Sequence, residues 1–363
     1  MIITICVFGE SYNHIFMINI PLPSGLISRD HYRVAFEPFI NQCLIKVFTG
    51  QRRVGKSYFL FLIMRQVLSK SPDANLIYIN KEDFVFDGIR NAADLIQFVK
   101  DNTVKNVKNY LFVDEIQDIA EFEKALRSLL LNDNYDIYIT GSNVTMLSGE
   151  LATYLSGRYI EFRIYSLSYP EFLLFQDFEN TDETLMNFLK YGGMPYLHNL
   201  PLGDQVVYEY LGALVSTILY KDIIKRHGVR NIRFLDQLVR FIAEHTGSIF
   251  SSKSISDYLK SQQINLAPNQ VQTYTNYLCN SFLIQRSERY DLEGKRIFET
   301  GEKYYFENLG LRNALAGFKP SDRNKLVENA VFNHLCYHGY IVKTGQLGKL
   351  VVDFVAEKQN EKI

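Results

Sequence analysis

The sequence predicts an α/β protein in which a parallel sheet is covered by helices on both faces. Short apolar runs of strand length alternate with segments of helical spacing through the first half of the chain. A glycine-rich motif joins the first of these runs to the first long helix. The strand-like runs lie at 44–49, 75–80, 109–113, 135–140 and 159–167, and the helical segments at 58–68, 93–101, 121–131 and 146–155. A short predicted helix at 30–41 precedes them.

The motif between the first strand and the helix reads Gly50-Gln51-Arg52-Arg53-Val54-Gly55-Lys56-Ser57, or G-x-x-x-x-G-K-S. In this context the glycines let backbone N–H groups point at phosphate oxygens, and the helix N-terminus adds a positive dipole end. Lys56 is expected to reach the β- and γ-phosphates of a nucleotide, and Ser57 to bind Mg²⁺ through its hydroxyl. We predict nucleotide contacts from the whole motif and from Tyr58; the alternative is a chance match in an ordinary turn.

Two acids end the third strand-like run, where the sequence reads Leu111-Phe112-Val113-Asp114-Glu115. Asp114 is predicted to hold the Mg²⁺ shell, and Glu115 to orient and activate the attacking water. Polar residues often end strands, so the pair alone is a weak signal. Because it follows the glycine-rich motif by the usual interval, we predict that Glu115 and Lys56 are catalytic.

Polar residues also end the fourth run, at Thr140-Gly141-Ser142-Asn143. In an ATPase of the additional-strand type, this run lies between the strand before the glycine motif and the strand with the two acids. Ser142 or Asn143 would then sense the γ-phosphate, and the alternative is a simple polar turn. Arg158 is a third predicted catalytic residue, which would bring positive charge to the γ-phosphate of its own or a neighbouring site. A lone arginine is, however, more often solvated or salt-bridged.

A second nucleotide motif is interpreted as coincidence. The stretch Asn80-Lys81-Glu82-Asp83 matches N-K-x-D, by which GTPases read guanine. It precedes the two acids instead of following them, and no D-x-x-G motif stands in the required order. ATP is therefore the predicted nucleotide.

These segments together resemble the prokaryotic AAA+ ATPases of uncharacterised role that carry a C-terminal domain of unknown function. The resemblance rests on GQRRVGKS at 50–57, FVDEIQ at 112–117, ITGSN at 139–143 and LSGELATYLSGRYIEF at 147–162. It extends from about residue 27 through most of the chain, with GGMP at 192–195, KYYF at 303–306 and GLRN at 310–313. The resemblance implies an ATPase core, a winged-helix segment and a tail similar to restriction-endonuclease folds.

The pattern at 232–299 fits a winged helix, with three helices followed by a hairpin near Leu292-Glu293-Gly294. Residues 225–303 contain 12 Lys and Arg and 8 Asp and Glu, a local charge of 12 − 8 = +4. A module that only packs against protein is the alternative. Predicted base contacts on the third helix, at 268–279, are Asn269, Gln272, Thr273 and Asn276, and predicted phosphate contacts are Arg286, Arg289, Lys295 and Arg296.

The predicted domains are an N-terminal extension at 1–25, an AAA+ ATPase core at 26–167, a helical lid at 168–231, a winged helix at 232–306 and a truncated nuclease-like domain at 307–363. In that tail, Glu328 on a helix and Asp353 on a strand match two metal-binding acids of the nuclease-like fold. The lysine and last strands that complete such a site are missing, so we expect no nuclease activity.

Composition limits the remaining choices. The formal net charge of −1 excludes general coating of nucleic acid, so any DNA contact would be a local patch. Four cysteines without metal-ligand spacing predict reduced thiols and a cytoplasmic protein, and no segment predicts a membrane span. We expect a Mg²⁺-dependent ATPase, able to form an oligomer, that acts on DNA or a protein partner. The alternative is an ATP-gated DNA-binding regulator or protein-interaction module with negligible turnover.

Overall fold

The computed structural model describes residues 3–5, 18–20, 22–143, 155, 157–261, 263–264, 266–291, 301–347, 350–359 and 361–363. By their contacts, residues 1–50 and 55–164 form one compact unit, and residues 51–54 and 165–363 form a second. The predicted helix at 146–155, apart from Leu155, and the predicted hairpin with Lys295 and Arg296 lie outside the described residues. Within the described ranges, no helix is long and apolar enough to cross a membrane.

The first unit is organised by a five-stranded parallel sheet. In chain order its elements are β1 (Ile3–Ile5), β2 (Ile18–Ile20), α1 (Asp30–Phe36), β3 (Ile45–Thr49), α2 (Lys56–Lys70), β4 (Asn75–Asn80), α3 (Ala92–Asp101), β5 (Asn109–Asp114), α4 (Phe122–Leu129), β6 (Tyr135–Gly141) and β7 (Tyr159–Arg163). The order across the sheet is β4-β5-β6-β3-β7, whereas β1 and β2 form a separate antiparallel pair. The sheet therefore has β6 between β3 and β5, as expected for the additional-strand type.

Helices cover both faces of this sheet, as predicted. The helix α2 leads from β3 to the edge strand β4, while α3 and α4 return step by step in the opposite direction. Because such crossovers are right-handed, opposite directions place the helices on opposite faces. Accordingly, Leu95 of α3 and Leu126 of α4 share one apolar cluster, whereas Phe59 of α2 packs edge-on against Phe48 of β3.

The topology brings the carboxyl ends of three central strands to one edge of the sheet. Thr49 pairs with Gly141 across β3 and β6, and Asn80 pairs with Asp114 across β4 and β5. The strands β3, β5 and β6 are buried along their whole length, as expected for a sheet covered on both faces. Loops that follow parallel strands at this edge are the usual place for ligand-binding residues.

The second unit begins with helices. They are α5 (Tyr169–Gln176), α6 (Asp182–Tyr191), α7 (Asp204–Thr217), which continues as a π-helix at Ile218–Lys225, α8 (Ile232–Glu244), α9 (Ser252–Ser261), α10 (Pro268–Asn280), α11 (Leu309–Ala316) and α12 (Arg323–Tyr337). The sequence analysis did not predict α11. Its local signals are nevertheless present, because the Asn308 side chain accepts the Leu311 N–H and Gly317 follows the helix with φ of 75°.

Two small sheets complete the second unit. Their strands are β8 (Ile249–Phe250), β9 (Ile284–Ser287), β10 (Arg289–Asp291), β11 (Glu302–Phe306), β12 (Ile341–Leu347), β13 (Leu350–Lys358) and β14 (Glu361–Lys362). One sheet has the antiparallel order β8-β11-β9, and the other has the order β10-β12-β13-β14 with β10 parallel to β12. The adjoining strands β9 and β10 belong to different sheets, because residues up to Ser287 pair with β11 and residues from Arg289 pair with β12.

Candidate nucleotide-binding site

The glycine-rich motif forms the turn between β3 and α2. Gly50 and Gly55 have φ of 149° and 95°, which are backbone conformations that residues with a Cβ rarely adopt. The helix starts at Lys56, immediately after Gly55. The two glycines are therefore required by the backbone, and the loop they form leads directly into a helix N-terminus.

Lys56 lies buried at the start of α2, with only 4% of its surface exposed. Its Nζ donates a hydrogen bond to the Gly50 carbonyl oxygen at 3.0 Å. The same nitrogen lies 4.0 Å from Glu115 Oε1. The ammonium group is thus held inside the turn, where a phosphate oxygen could replace the carbonyl oxygen as its acceptor.

Ser57 and Asp114, the two predicted Mg²⁺ ligands, meet at the carboxyl end of β5. Their side chains are hydrogen-bonded to each other. Burial raises the pKa of Asp114 above its ordinary value, and the hydrogen bonds from Ser57 and Thr140 oppose that rise. A buried carboxylate beside a hydroxyl is a set of hard oxygen donors, which fits Mg²⁺.

Glu115 occupies an unusual backbone conformation for a residue with a side chain, with φ of 55°. Its N–H donates to Thr140 Oγ1 at 3.0 Å, and Thr140 Oγ1 in turn donates to Asp114. The carboxylate oxygen Oε2 accepts hydrogen bonds from Ser142, at 3.1 Å, and from Gln117. Glu115 is therefore fixed at its backbone and at its side chain.

Thr140 and Gln117 are site residues that the sequence analysis missed. Thr140 is fully buried and links both acids, while Gln117 follows Glu115 by two residues. The available signal was the position of Thr140 at the end of the strand neighbouring the two acids. Of the two predicted sensor residues, Ser142 contacts Glu115; Asn143 is buried beside it in sequence, with 1% of its surface exposed.

The other motif residues, Gln51 to Val54, belong to the second compact unit. Within that unit, Gln51 Nε2 donates to the Phe282 carbonyl oxygen at 3.1 Å. The Arg52 guanidinium group makes two hydrogen bonds of 3.0 Å to the buried Asp222 carboxylate. Arg53 has φ of 69° and Val54 is fully buried, while Tyr58, the next residue predicted to contact nucleotide, is 57% exposed.

Arg158 lies apart from these residues. It directly precedes β7, and its carbonyl oxygen accepts the N–H of Ile45, which starts β3. The glycine motif follows the other end of β3, and a strand of this length separates the two positions by roughly 13 Å. This distance does not fit contact between Arg158 and the γ-phosphate of its own site, and contact with a neighbouring site stays a prediction. Arg163, which pairs with Thr49, is the arginine of β7 at the carboxyl edge.

The N-K-x-D match is a structural turn. Lys81 Nζ donates to the carbonyl oxygens of Phe86 and Ile89, and Asp83 caps the short turn that follows. Lys81 and Asp83 therefore have structural roles in this turn that do not require a guanine base.

The predicted DNA-contact residues are divided by their environment. Asn269, Gln272 and Thr273 are exposed on α10. Asn276 instead accepts a hydrogen bond from Arg286, whose guanidinium group also lies 3.3 Å from Glu302. Three of the predicted base contacts are therefore available at the surface, whereas Arg286 is already engaged within the protein.

In the tail, the structure brings Glu328 and Asp353 together around a lysine from β11. Lys303 Nζ lies 2.8 Å from Glu328 and 2.9 Å from Asp353, and the Tyr305 hydroxyl donates to Glu328 at 2.7 Å. Over the described ranges, no group of three or more His, Cys, Asp or Glu side chains is arranged to hold a metal ion. The two acids therefore have an internal cation as their partner.

Two family models match the chain. An AAA domain matches residues 43–173, and a domain of unknown function (DUF8612) matches residues 182–322. An uncharacterized protein of Haemophilus influenzae is 34% identical over 348 residues, which cover 94% of this chain and 86% of the relative. The uncharacterized protein MJ1544 of Methanocaldococcus jannaschii is 32% identical, with 82% of this chain and 67% of the relative covered.

A comparison with solved structures matches the ORC2 protein of Aeropyrum pernix, in ADPNP and ADP complexes. It is 12% identical, has a TM-score of 0.46, and the match covers 87% of this chain and 98% of that one. AMPPCP-bound DnaA from Aquifex aeolicus is 17% identical with a TM-score of 0.31, and the match covers 60% and 70% of the two chains. By its close relatives and its two domain matches, the chain belongs to the family of proteins in which an AAA domain precedes a domain of unknown function.

Proposed function

We propose that the protein binds and hydrolyses ATP with Mg²⁺ and uses the reaction to act on DNA or on a protein partner. The observation that carries this proposal is the meeting of Lys56, Ser57, Asp114 and Glu115 at one edge of the sheet, directly beside a glycine turn. These side chains supply a phosphate-binding cation, two oxygen ligands for a metal and a carboxylate base.

Each residue has a distinct role in the proposed reaction. The N–H groups of the turn and the Lys56 ammonium group bind the β- and γ-phosphates and neutralise their charge. Ser57 and Asp114 would hold Mg²⁺, which supplies further positive charge to the phosphates and orients them. Glu115 orients the attacking water and takes its proton at a carboxylate oxygen. The Thr140 hydroxyl keeps Glu115 and Asp114 in a fixed relation.

A regulated site with low basal turnover is the second candidate. Glu115 Oε2 already accepts hydrogen bonds from Ser142 and Gln117, so the base is engaged by protein groups. Turnover would then require that one of these bonds be exchanged for the water. In this variant of the function, ATP acts mainly as a conformational ligand.

The proposed DNA contact uses the exposed side chains Asn269, Gln272 and Thr273 of α10. A helix of this kind reads base edges through amide and hydroxyl groups. We expect binding to a fluorescent DNA duplex to weaken when these three residues are replaced together by alanine. Replacing three exposed residues of α9, Lys253, Asp257 and Lys260, serves as the control for a general loss of surface polarity. Unchanged duplex binding by the α10 variant would show that this helix does not read DNA.

Steady-state phosphate release and ATP binding test the catalytic proposal together. Glu115→Gln should retain ATP affinity within about threefold and lower turnover by about 100-fold or more, because it removes the base and keeps the shape of the side chain. Glu121→Gln is a matched control, since Glu121 is also at positive φ, is exposed and follows the same strand. Wild-type turnover by Glu115→Gln would overturn the assigned base. Turnover in wild type that stays negligible with every DNA form would favour the ATP-gated alternative.

A further inference from the structure

The second unit contains a cavity of about 280 Å³ that the proposed ATPase chemistry does not use. It lies between α6, α12, the chain at 165–169 and the residues that precede α11. Its walls are mainly apolar, with Leu185 and Phe188 on one side and Val331 and Leu335 on another. A cavity of this size is at the small end of ligand pockets in proteins.

Most polar groups of the cavity wall have partners within the protein. The Ser166 N–H and hydroxyl bond to Glu307. The Asn333 carboxamide donates to the carbonyl oxygens of Phe306 and Glu307 and accepts from Gln285. These bonds tie the wall together and fix its shape.

Asn308 differs from these groups. Its Oδ1 accepts the Leu311 N–H at the start of α11, which also fixes which end of the carboxamide is nitrogen. Its Nδ2 is buried without a hydrogen-bond acceptor, in a residue that is only 1% exposed and lines the cavity. A buried donor without an acceptor is costly, so a bound molecule that supplies an acceptor gains free energy there.

The charges around the cavity limit the chemistry of such a molecule. Glu307 lines the same wall as Asn308, and a carboxylate there disfavours an anion. Among the described residues that line the cavity, none is Lys or Arg. The favoured acceptor is therefore a neutral oxygen, such as the carbonyl of a ketone, ester or amide.

We propose that this cavity is a binding site for a small, neutral, mainly apolar molecule with one carbonyl acceptor, which Asn308 Nδ2 recognises. The site is separate from the proposed nucleotide chemistry and does not depend on it. Apolar walls contribute affinity through burial, and the Asn308 donor fixes the orientation of the ligand.

The neutral fluorescent ketone prodan tests this site in the full-length protein. Its emission shifts to shorter wavelength in apolar surroundings, so titration reports both binding and environment. Wild type should bind prodan saturably, and about tenfold more tightly than the analogue in which the carbonyl is replaced by a methylene group. Absence of saturable binding up to the solubility limit of prodan would overturn the proposal.

Two variants locate the binding. Asn308→Asp keeps the oxygen that caps α11 and removes the donor, so prodan affinity should fall about tenfold and the preference for the ketone should disappear. Asn231→Asp is the matched control, because Asn231 caps α8 in the same way and is exposed. Ala330→Phe should abolish binding by filling the cavity, and it does so without touching the cap. Unchanged prodan affinity in either Asn308→Asp or Ala330→Phe would overturn the assignment of the ligand to this cavity.

Discussion

Each unit of the protein contains a buried lysine beside carboxylates, and the two lysines are held differently. In the first unit, Lys56 donates to the Gly50 carbonyl oxygen and lies 4.0 Å from Glu115. In the second unit, Lys303 lies within 2.9 Å of both Glu328 and Asp353. A carbonyl can be exchanged for a phosphate oxygen, whereas two close carboxylates already compensate the lysine charge. The same residue types therefore fit the proposed ligand site in one unit and a stabilising contact in the other.

The largest expected effect is on turnover, and the same substitution in the two units measures it. Lys56→Met should lower ATP hydrolysis by more than about 100-fold, because it removes the cation that binds the phosphates. Lys303→Met should leave turnover within about twofold of wild type. Phosphate release by the two purified variants decides this. A folded Lys303→Met protein as inactive as Lys56→Met would contradict the distinction.

For the free energy of unfolding, we expect Lys303→Met to have a larger effect than Lys56→Met. Lys303→Met removes the charge between two acids and should cost about 2 kcal/mol of unfolding free energy. This is below the cost for a fully buried pair because Glu328 and Asp353 are 22% and 64% exposed. Lys56→Met should cost less, because the close contact of Lys56 Nζ is to the uncharged Gly50 carbonyl oxygen and Glu115 lies 4.0 Å away. Urea unfolding measures both, and the double variant Lys303→Met/Glu328→Gln should recover part of the loss. A larger loss for Lys56→Met would show that its contacts are structural.

Two buried threonines, Thr140 and Thr246, test the same difference between the proposed site and the structural contact, with smaller expected effects on turnover and stability. Thr140→Val removes the hydroxyl that links Glu115 to Asp114 and should lower turnover by about tenfold. Thr246→Val removes a buried hydroxyl of the second unit, which bonds to Tyr304 and Asn329, and should lower stability without changing turnover. Turnover and thermal unfolding are measured on both variants. Full activity of Thr140→Val would remove Thr140 from the site.

The smallest expected effect is on the melting temperature, which substitutions of Asp114 and Asp353 should change in opposite directions. Burial raises the pKa of Asp114, so its ionised form costs folding free energy once the pH rises from 3.8 through the raised value. Asp114→Asn should therefore raise the melting temperature by a few degrees at pH 7 while blocking Mg²⁺-dependent turnover. The gain should shrink as the pH is lowered. Asp353→Asn should instead lower the melting temperature slightly, because it weakens the pair with Lys303. A change of the melting temperature in the same direction for both variants would contradict the expectation.

Neighbours along the chain are sufficient to predict the proposed nucleotide site from the sequence. The glycine turn, Lys56 and Ser57 lie within one local motif, and Asp114 and Glu115 end one strand, so their spacing alone predicts the site. The parallel sheet with helices on both faces followed from the same alternation of elements, and it is confirmed.

Sequence reasoning failed where contacts between side chains depend on how distant strands pair. Thr140 reaches Glu115 and Asp114 only because β6 lies beside β5 in this register. The place of Arg158 at the opposite end of β3 follows from the pairing of Ile45 with Tyr159. Lys303 is 25 residues from Glu328 and 50 from Asp353, so no local pattern could predict that they meet.

The parallel pairing of β10 with β12 also has a consequence for the order in which the chain folds. Arg289 to Asp291 pair with Thr344 to Gln346, and the intervening strand β11 belongs to the other sheet. During synthesis, β10 cannot obtain its native partner until β12 has left the ribosome. Until then it is an unpaired strand edge, and such an edge promotes aggregation of a nascent chain.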